Sequence, residues 1–439
     1  MSPPSESVPI QDLQSLLAQT LGNSFQIKHI EWKPLTAPGE NYGSVILAIN
    51  VTVNRNNETE TLNLVAKLPP DTAYLLDLFN SPVTFKKELL FYSDVSMALI
   101  NLQRESGIKE EDLTLIAPKY IGGRLGIRNP NEFDEQAAII LENLKYSDYT
   151  THDRIHGLDR KHTEFAVKKL AKLHALIIAL KLKKPQFFKD VVLGILKQGV
   201  SETAEKCVLG MIRKAQNDLK NMQEAEPYME RTNKTIEYSI QKNKNPKEPE
   251  EAWATLVHND FWVNNMMFQY NKLDGLIEMK MVDFQLCAYD YGLYDLIFFL
   301  ISSANKDILD NNLDDMINLY YDSFVKYLKT LGVDTNAYSK EKFFEILDYC
   351  APIKFNQCIM MVQVIQAPRE NAEKAKRIDD EDIFLNRGGD DICKQKLFMR
   401  SLTSSKSATV SGKLNSLTTR SRTCLLISCR EESGKLIAR

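Results

Sequence analysis

Apolar and polar residues alternate in the first third of the chain in the way that is typical of half-buried β-strands. Alternating runs occupy Val45 to Val53 and Thr61 to Leu68, and a more continuous apolar run occupies Gln136 to Leu144. Between the second and third runs, Val83 to Arg104 places apolar residues at helical spacing. The pattern therefore predicts a small sheet accompanied by one long helix.

Beyond residue 144 the apolar positions recur at helical spacing. The predicted helices are His162 to Ala179, residues 202 to 223, residues 228 to 244, Asp315 to Leu331, and Ser339 to Gln366 with a break near Pro352. His174 lies beside the apolar stripe of the first helix, and we interpret it as a buried, hydrogen-bonded histidine rather than a ligand. The whole chain therefore reads as a mixed α+β protein.

Residues suited to phosphoryl transfer lie on either side of a predicted strand–turn–strand unit. Its strands are Met266 to Tyr270 and Leu276 to Phe284, and the segment before them has the spacing H-x-D-x-x-x-x-N. That spacing also arises by chance, and Asp283 alone could be a turn residue. Together they fit a site in which Asp260 lies near the attacking hydroxyl, while Asn265 and Asp283 hold Mg²⁺ on nucleotide phosphates.

The upstream strands supply candidates for the rest of a nucleotide site. Gly43 precedes the first strand, where glycine lets backbone N–H groups approach phosphates, although a plain β-turn fits the same pattern. Lys67 follows V-A at the end of the second strand, as the phosphate-binding lysine of protein kinases does. Glu88 on the following helix is its candidate partner, although by itself it reads as a surface charge.

The third strand ends in a segment that could connect two lobes. Glu142, Asn143 and Leu144 close its apolar run, and a polar segment follows. In a two-lobed kinase this is the place of the hinge, where backbone groups bond the edge of adenine. We therefore include Glu142 and Leu144 among the candidate nucleotide-binding residues.

An ordered set of segments carries a family resemblance. The segments are GENYGS (39–44), VAK (65–67), FKKELLFY (85–92), IILENL (139–144), LAKLHA (170–175), HNDFWVNNMMF (258–268), VDFQ (282–285) and YDLIFFL (294–300). This set resembles the ecdysteroid kinase-like family of arthropods, which is related to choline kinases and aminoglycoside phosphotransferases. The resemblance covers roughly residues 10 to 365.

The resemblance implies a two-lobed, protein-kinase-like fold. A small antiparallel-sheet lobe would occupy residues 1–144 and end in the hinge, and a large, mainly helical lobe would occupy residues 145–400. The implied activity is ATP- and Mg²⁺-dependent phosphorylation of a hydroxyl on a small molecule, either an ecdysteroid or a xenobiotic such as a plant toxin or its glycoside. The implied roles are catalytic base for Asp260, metal ligands for Asn265 and Asp283, phosphate binding for Lys67 with Glu88 as ion-pair partner, phosphate contact for Ser44, and support of the catalytic loop for His258 and Asp295.

Two features depart from the family pattern. The family usually has glycine where this chain has Asn259, and asparagine tolerates a left-handed backbone better than most residues, so we expect the turn to be kept. Residues 401–439 are rich in serine and threonine, basic, and without helical period, where a packed amphipathic helix would be expected. We interpret them as a disordered tail or a wrongly assigned end of the sequence.

Composition narrows the class of protein. With 44% apolar residues in a chain of 439, there is enough apolar side chain for two lobes, and a net charge of -3 gives no reason to expect nucleic acid as a partner. The start of the chain lacks the pattern of a signal peptide, and the longest apolar run, Leu296 to Ile301, is too short to cross a membrane. Seven cysteines without a C-x-x-C motif predict reduced thiols and a cytoplasmic protein.

The acceptor molecule is expected between the helical lobe and the catalytic loop. Trp262, two residues after Asp260, is the first candidate for its wall and Tyr289 the second, although aromatic residues are more often core. One alternative is a pseudokinase that binds a steroid or toxin without catalysis. Another is a choline- or ethanolamine-type kinase, with an ammonium pocket formed by residues 289–291. The presence of the lysine, its partner, the base and both metal ligands favours an active enzyme.

Overall fold

The computed structural model describes residues 8–35, 43–196, 201–221, 223–273 and 275–366. Within them, an antiparallel sheet forms a small first lobe and helices form most of a larger second lobe. The predicted α+β fold class is therefore confirmed, whereas the lobe boundary at residue 144 stays a prediction. Gly39 and the tail segment 401–439 lie outside the described residues.

The small lobe is a five-stranded sheet covered by one helix. Its elements are β1 (Phe25–Pro34), β2 (Val45–Arg55), β3 (Glu58–Leu68), β4 (Tyr120–Arg124), β5 (Ala138–Glu142) and α1 (Leu13–Leu21). The strands lie in the order β1–β2–β3–β5–β4, which makes β3 the central strand. Ile49 and Val51 of β2 are buried in one core with Leu16 and Leu17 of α1. Burial of this apolar surface fixes β3, and with it Lys67, in the middle of the lobe.

The long helix predicted over Val83 to Arg104 is present and is interrupted by a wider turn. It consists of α3 (Ser81–Leu90), a π-helical turn (Phe91–Val95) and α4 (Ser96–Glu105), and the short helix α2 (Ala73–Leu78) precedes it. Phe91 in the wider turn stacks on Phe284, with ring centroids 3.4 Å apart. Because Phe284 follows Asp283, this stacking fastens the helix to the candidate metal-binding segment.

The large lobe is mainly helical. Its helices are α5 (Arg160–Lys183), α6 (Pro185–Phe187), α7 (Gly194–Leu196), α8 (Glu202–Lys220), α9 (Met229–Lys244), α10 (Leu293–Ser303), α11 (Leu313–Thr330) and α12 (Lys340–Gln366). Its short strands are β6 (Tyr149–Thr150), β7 (Ala254–Val257), β8 (Met266–Tyr270), β9 (Leu276–Met281) and β10 (Ala288–Tyr291). Hydrogen bonds pair β8 with both β6 and β9, and β7 with β10. The β8–β9 hairpin is the predicted strand–turn–strand unit, but its second strand ends at Met281 instead of Phe284, so Asp283 lies just after the strand.

Helices α5 and α10 are largely buried in this lobe, and their burial accounts for their apolar sequences. Every residue of α10 is buried, which requires an apolar residue on almost every face of the helix. His174 of α5 is fully buried and is hydrogen-bonded to Tyr320, as predicted. The run from Leu296 to Ile301 lies within α10, and among the described residues no helix is both long and apolar enough to span a membrane.

The expected break at Pro352 was wrong. Proline removes one backbone hydrogen bond and clashes with the preceding turn, but α12 continues from Lys340 to Gln366. Cys350, Ala351 and Ile353, which flank the proline, are all buried against the lobe. Packing on both sides of the proline therefore outweighs the local cost, which the sequence pattern alone does not report.

Candidate active site

Lys67 lies where the two lobes meet and bonds to both of them. Its side chain leaves the central strand β3 close to the strand's end and is almost fully buried. The Nζ atom lies 2.5 Å from Oε2 of Glu88 on α3, in the small lobe, and 2.9 Å from Oδ1 of Asp283, in the large lobe. Lys67 of the strand, Glu88 of the helix and Asp283 from the segment after the hairpin are thus brought together at one ammonium group.

The electrostatics of this cluster follow from burial and from two carboxylates sharing one cation. Burial alone would lower the pKa of Lys67, but Asp283 and Glu88 outweigh it and raise the pKa above its ordinary value. Burial raises the pKa of the Glu88 carboxyl even though Lys67 favours the ionised form. Lys67 is therefore held as a buried cation where the two lobes meet.

Tyr92 is a member of this cluster that the sequence analysis missed. Its hydroxyl accepts a hydrogen bond of 3.1 Å from the backbone N–H of Asp283 and also bonds the Glu88 carboxyl. The signal was available, because Tyr92 follows Glu88 by four residues and so lies on the same face of the helix. In the sequence it is one residue of the FKKELLFY segment, with nothing but this spacing to set it apart.

Asp260 and Asn265 form a second cluster at the entrance to the β8–β9 hairpin. The Asn265 amide nitrogen donates to Oδ2 of Asp260 and to its carbonyl oxygen, each at 2.9 Å. Asn265 belongs to a 3₁₀ turn, and its own carbonyl accepts from the N–H of Val282 at 3.0 Å, one residue before Asp283. Burial and then the charge of Asp283 raise the pKa of Asp260 to about 8.

The loop that carries Asp260 is held from the large lobe by Asp295. This fully buried carboxylate of α10 accepts from the backbone N–H groups of His258 at 2.6 Å and Asn259 at 2.7 Å. It also lies 3.2 Å from Nε2 of His174. Burial by itself would raise the pKa of Asp295, but the His174 hydrogen bond and nearby positive charge lower it, so the carboxylate stays ionised. The position is that of a loop anchor.

His258 and Asn259 have supporting positions in the same loop. His258 is fully buried, and its Nε2 lies 3.0 Å from the carbonyl oxygen of Val282, which ties the loop to the end of β9. Asn259 has a φ of 64°, so the left-handed turn expected there is present. Asp283 is also left-handed, with a φ of 68°, and such strained positions are common at functional sites.

The donor set fits a hard divalent cation. The amide nitrogen of Asn265 is used by Asp260, which leaves its amide oxygen for a cation. Asp283 offers carboxylate oxygens, and carboxylate and amide oxygens are the ligands that Mg²⁺ prefers. Among the described residues, no group of three or more His, Cys, Asp or Glu side chains could hold a metal alone. Two protein ligands, completed by substrate phosphates, are what a kinase site needs.

Gly43 and Ser44, which were predicted to lie beside the nucleotide phosphates, immediately precede β2. Gly43 is closely packed, because a Cβ atom there would lie 3.1 Å from Nε2 of Gln285 and 3.2 Å from the ring of Phe79. Ser44 beside it is buried. This end of β2 therefore adjoins the V-D-F-Q segment.

The hinge candidates are engaged within the protein. The carboxylate of Glu142 bonds Nζ of Lys280 and accepts from the N–H of Lys119 at 2.9 Å. The side chain of Leu144 is buried. Neither side chain is therefore offered to a nucleotide, and any contact with adenine falls to backbone groups.

Trp262 and Tyr289, the two candidate residues for the acceptor wall, have different contacts. Trp262 is half-buried, and its side chain hydrogen-bonds the Asp260 carboxylate, so it adjoins the base directly. The hydroxyl of Tyr289 instead donates to Glu251 at 2.9 Å and accepts from Lys181 at 3.0 Å. The Lys181 ammonium also lies 5.4 Å from the centre of the Tyr289 ring. Tyr289 is thus part of an internal support.

The chain is similar to several solved structures. Among solved structures, the chain is similar to an ethanolamine kinase of Plasmodium vivax, with 13% identity over 83% of this chain and 80% of that one and a TM-score of 0.39. It is also similar to a choline/ethanolamine kinase family protein of Mesorhizobium loti, with 10% identity, 94% and 98% coverage and a TM-score of 0.38. A spectinomycin phosphotransferase bound to ADP and spectinomycin gives 13% identity, 86% and 97% coverage and a TM-score of 0.40.

The family match decides the assignment. No curated protein sequence is significantly similar to the chain. The sequence model of the ecdysteroid kinase-like family matches residues 38–333, about two thirds of the chain. Lys67, Glu88, Asp260, Asn265 and Asp283 all lie within the matched region. The chain therefore belongs to the ecdysteroid kinase-like family, a family of small-molecule kinases.

Proposed function

We propose that this protein transfers the γ-phosphoryl group of ATP, in the presence of Mg²⁺, to a hydroxyl group of a small molecule. The observation that carries the proposal is the bridge from Lys67 to Glu88 in one lobe and Asp283 in the other. A buried lysine held between two carboxylates from the two lobes is a cation positioned for nucleotide phosphates. A surface ion pair or a simple packing contact would not require this burial.

Each residue of the second cluster then has a role in the transfer. Asp260 accepts the proton of the acceptor hydroxyl, and Asn265 orients its carboxylate through the amide hydrogen bond. Asn265 and Asp283 would hold Mg²⁺, which when bound neutralises charge on the transferred phosphoryl group. Lys67 binds the phosphates, and Glu88 keeps its ammonium in place. Ser44 and Gly43 lie at the end of the sheet where backbone groups would meet the same phosphates.

For the acceptor we propose an ecdysteroid, with a xenobiotic or its glycoside as the next class. Trp262 supports an acceptor with an extended apolar surface, because a half-buried indole ring adjoins the base. Tyr289 is withdrawn from our proposal for the acceptor wall, since its hydroxyl and one ring face are used by Lys181 and Glu251. The same contacts give no support to an ammonium cage at residues 289–291.

We also propose that the protein acts in the cytoplasm. Among the described residues, Cys287, Cys350 and Cys358 are buried free thiols. Cys287 and Cys358 are buried, and burial raises the pKa of each thiol to about 12, which keeps both unreactive. Unpaired thiols are typical of a reducing compartment, where ATP and Mg²⁺ are also available.

The test is phosphate transfer by the purified protein. ATP consumption is measured with Mg²⁺ against ecdysteroids, plant glycosides, choline and ethanolamine, with mass detection of a phosphorylated product. A phosphorylated ecdysteroid supports the proposal in full, whereas a phosphorylated glycoside keeps the mechanism and moves the role to detoxification. ATP binding without any product would point to a pseudokinase instead.

The base is tested in the same assay. Asp260→Asn should reduce turnover by at least ~10²-fold while ATP binding stays nearly unchanged, because the amide cannot accept the proton. Asn264→Ala is the matched control, since Asn264 lies in the same loop but is exposed. Turnover of Asp260→Asn within a few-fold of the wild type would remove Asp260 from the role.

A further inference from the structure

The last described helix, α12, reaches the catalytic loop although it lies beyond the residues that the family's sequence model matches. The family match ends at residue 333, and α12 begins at Lys340. Nζ of Lys354 donates to Oδ1 of Asn259 at 2.6 Å, and Nε2 of Gln357 donates to the Asn259 carbonyl at 2.8 Å. The two donors are three residues apart and so lie on one face of α12. We call this pair the α12 clamp.

The clamp acts on the residue whose backbone is strained. Asn259 has a φ of 64°, a conformation that glycine adopts freely and that other residues adopt at a cost. Its N–H is taken by Asp295 at 2.7 Å, its carbonyl by Gln357 and its side chain by Lys354. Because Asn259 immediately precedes Asp260, its backbone angles set the direction in which the catalytic carboxylate leaves the loop.

Lys354 is an unfavourable residue for simple packing. It is buried, with its ammonium 5.6 Å from the ring centre of Tyr294 and 5.5 Å from that of Phe298. Burial lowers its pKa, against the opposing charges of Asp295 and Asp290. A methionine would fill the same space without the cost of removing an ammonium group from water. The ammonium donates a hydrogen bond of 2.6 Å to Oδ1 of Asn259, and its charge also lies near Asp295, Asp290 and Asp260.

We propose that Lys354 and Gln357 are positioning residues that hold Asn259 in its left-handed conformation and thereby orient Asp260 for phosphoryl transfer. This inference rests on the proposed function for its catalytic consequence, but the loop geometry can be measured without it. In this proposal α12 supports the active site because the turn residue is asparagine. A glycine at the same position would adopt the left-handed conformation without this support.

The experiment compares Lys354→Met, Asn259→Gly and the double variant with the wild type. The first readout is amide hydrogen exchange of the catalytic-loop peptide, and the second is kcat together with the KM for acceptor and the Kd for ATP. Lys354→Met should speed exchange in the loop and lower kcat on the order of tenfold, with the ATP Kd little changed, because a small displacement of the base slows chemistry more than binding. In the Asn259→Gly background the same substitution should have little further effect.

Two variants separate positioning from general destabilisation. Lys354→Arg keeps the donor and should recover most of the kcat. Lys342→Met removes a partly exposed lysine of the same helix, which pairs with Glu250 instead of the loop, and should change neither readout. If Lys354→Met fails to fold, Gln357→Met, which removes only the bond to the carbonyl, is measured in its place.

Three outcomes would overturn the inference. Unchanged loop exchange in Lys354→Met would show that the clamp does not hold the loop. An equal effect of Lys354→Met in the wild-type and Asn259→Gly backgrounds would show that it does not act through this residue, and an equal fall of kcat and ATP affinity would indicate a general structural role. If the wild type transfers no phosphate, the proposed function fails, and the exchange data still decide whether the clamp orders the loop.

Discussion

At the scale of single residues, the site depends on one buried lysine. Lys67 is stable in the interior only because Glu88 and Asp283 surround its ammonium group. These carboxylates come from opposite lobes, so the lysine holds the two halves of the site in one arrangement. Removing the cation therefore affects both nucleotide binding and stability.

Lys67→Met tests this double role. The substitution leaves two carboxylates facing each other in a buried place, so we expect the free energy of unfolding to fall by about 3–5 kcal/mol. ATP affinity should fall at least ~10-fold, because a charge-assisted contact to phosphate is lost. Denaturant unfolding and nucleotide titration measure the two effects.

The control for this prediction is Lys33→Met, on the exposed side of β1. It should change neither quantity. A second variant, Lys67→Met with Glu88→Gln, should recover part of the stability without restoring ATP binding. Recovery of both would mean that Lys67 only balances Glu88.

At the scale of elements, α5 is joined to the catalytic hairpin by a second buried lysine. Nζ of Lys169 donates to Oε1 of Glu278 on β9 at 2.6 Å. Burial lowers the pKa of Lys169 to about 8, although Glu278 favours the charged form. Helix α5 thus supports the hairpin through this ion pair. Burial of the Lys169 ammonium costs free energy, and the size of this cost depends on pH.

This cost predicts a pH dependence of stability. Between pH about 8 and the unfolded lysine value of about 10.4, the unfolded chain binds more protons at Lys169 than the folded protein does. Raising the pH through this window therefore increases the free energy of unfolding through this group, and below pH about 8 the contribution is constant. The free energy of unfolding of the wild type should therefore rise relative to that of Lys169→Met from pH ~8 to pH ~10.

Chemical unfolding across this pH range measures the effect. Other titrating groups are common to both proteins and cancel in the difference. For Lys168→Met, at the exposed neighbouring position, the free energy of unfolding should change with pH in the same way as that of the wild type. Parallel curves for Lys169→Met as well would contradict the lowered pKa.

At the scale of the whole molecule, ion pairs join the two lobes. Lys67 with Asp283 is one such pair, and Glu142 of β5 with Lys280 of β9 is another. Glu142 was predicted as a nucleotide contact of the hinge. The structure uses its carboxylate to join the sheet lobe to the hairpin.

Glu142→Gln should therefore weaken the contact between the lobes more than it weakens nucleotide binding. We expect the free energy of unfolding to fall by about 1 kcal/mol, because a partly exposed pair contributes little. ATP affinity should stay within a few-fold of the wild type, since the hinge would contact adenine through its backbone. Nucleotide titration and denaturant unfolding of the variant measure the two effects, and a large loss of ATP affinity would show that the Glu142 side chain, besides its backbone, contributes to nucleotide binding.

Short-range features of the sequence were enough to predict the strands β2, β3, β5, β8 and β9, several of the long helices, and the residues of both clusters except Tyr92. The alternation of apolar residues predicted β2 and β3, helical spacing predicted α5 and α11, and H-x-D-x-x-x-x-N with V-D-F singled out Asp260, Asn265 and Asp283. These features depend on neighbours within a few residues, so a linear pattern can report them. The left-handed Asn259 belongs to the same group, since turn chemistry is local.

Only the tertiary structure decided what each of these residues touches. It brought Tyr92 to Asp283, used Glu142 and Tyr289 for internal support, carried α12 through Pro352, and placed Lys354 and Gln357 on the catalytic loop. Those contacts join residues that lie far apart along the chain, and their free energies come from burial that a local pattern does not contain. The sequence by itself determined which residues could carry the chemistry, and long-range packing determined which side chains hold them in place.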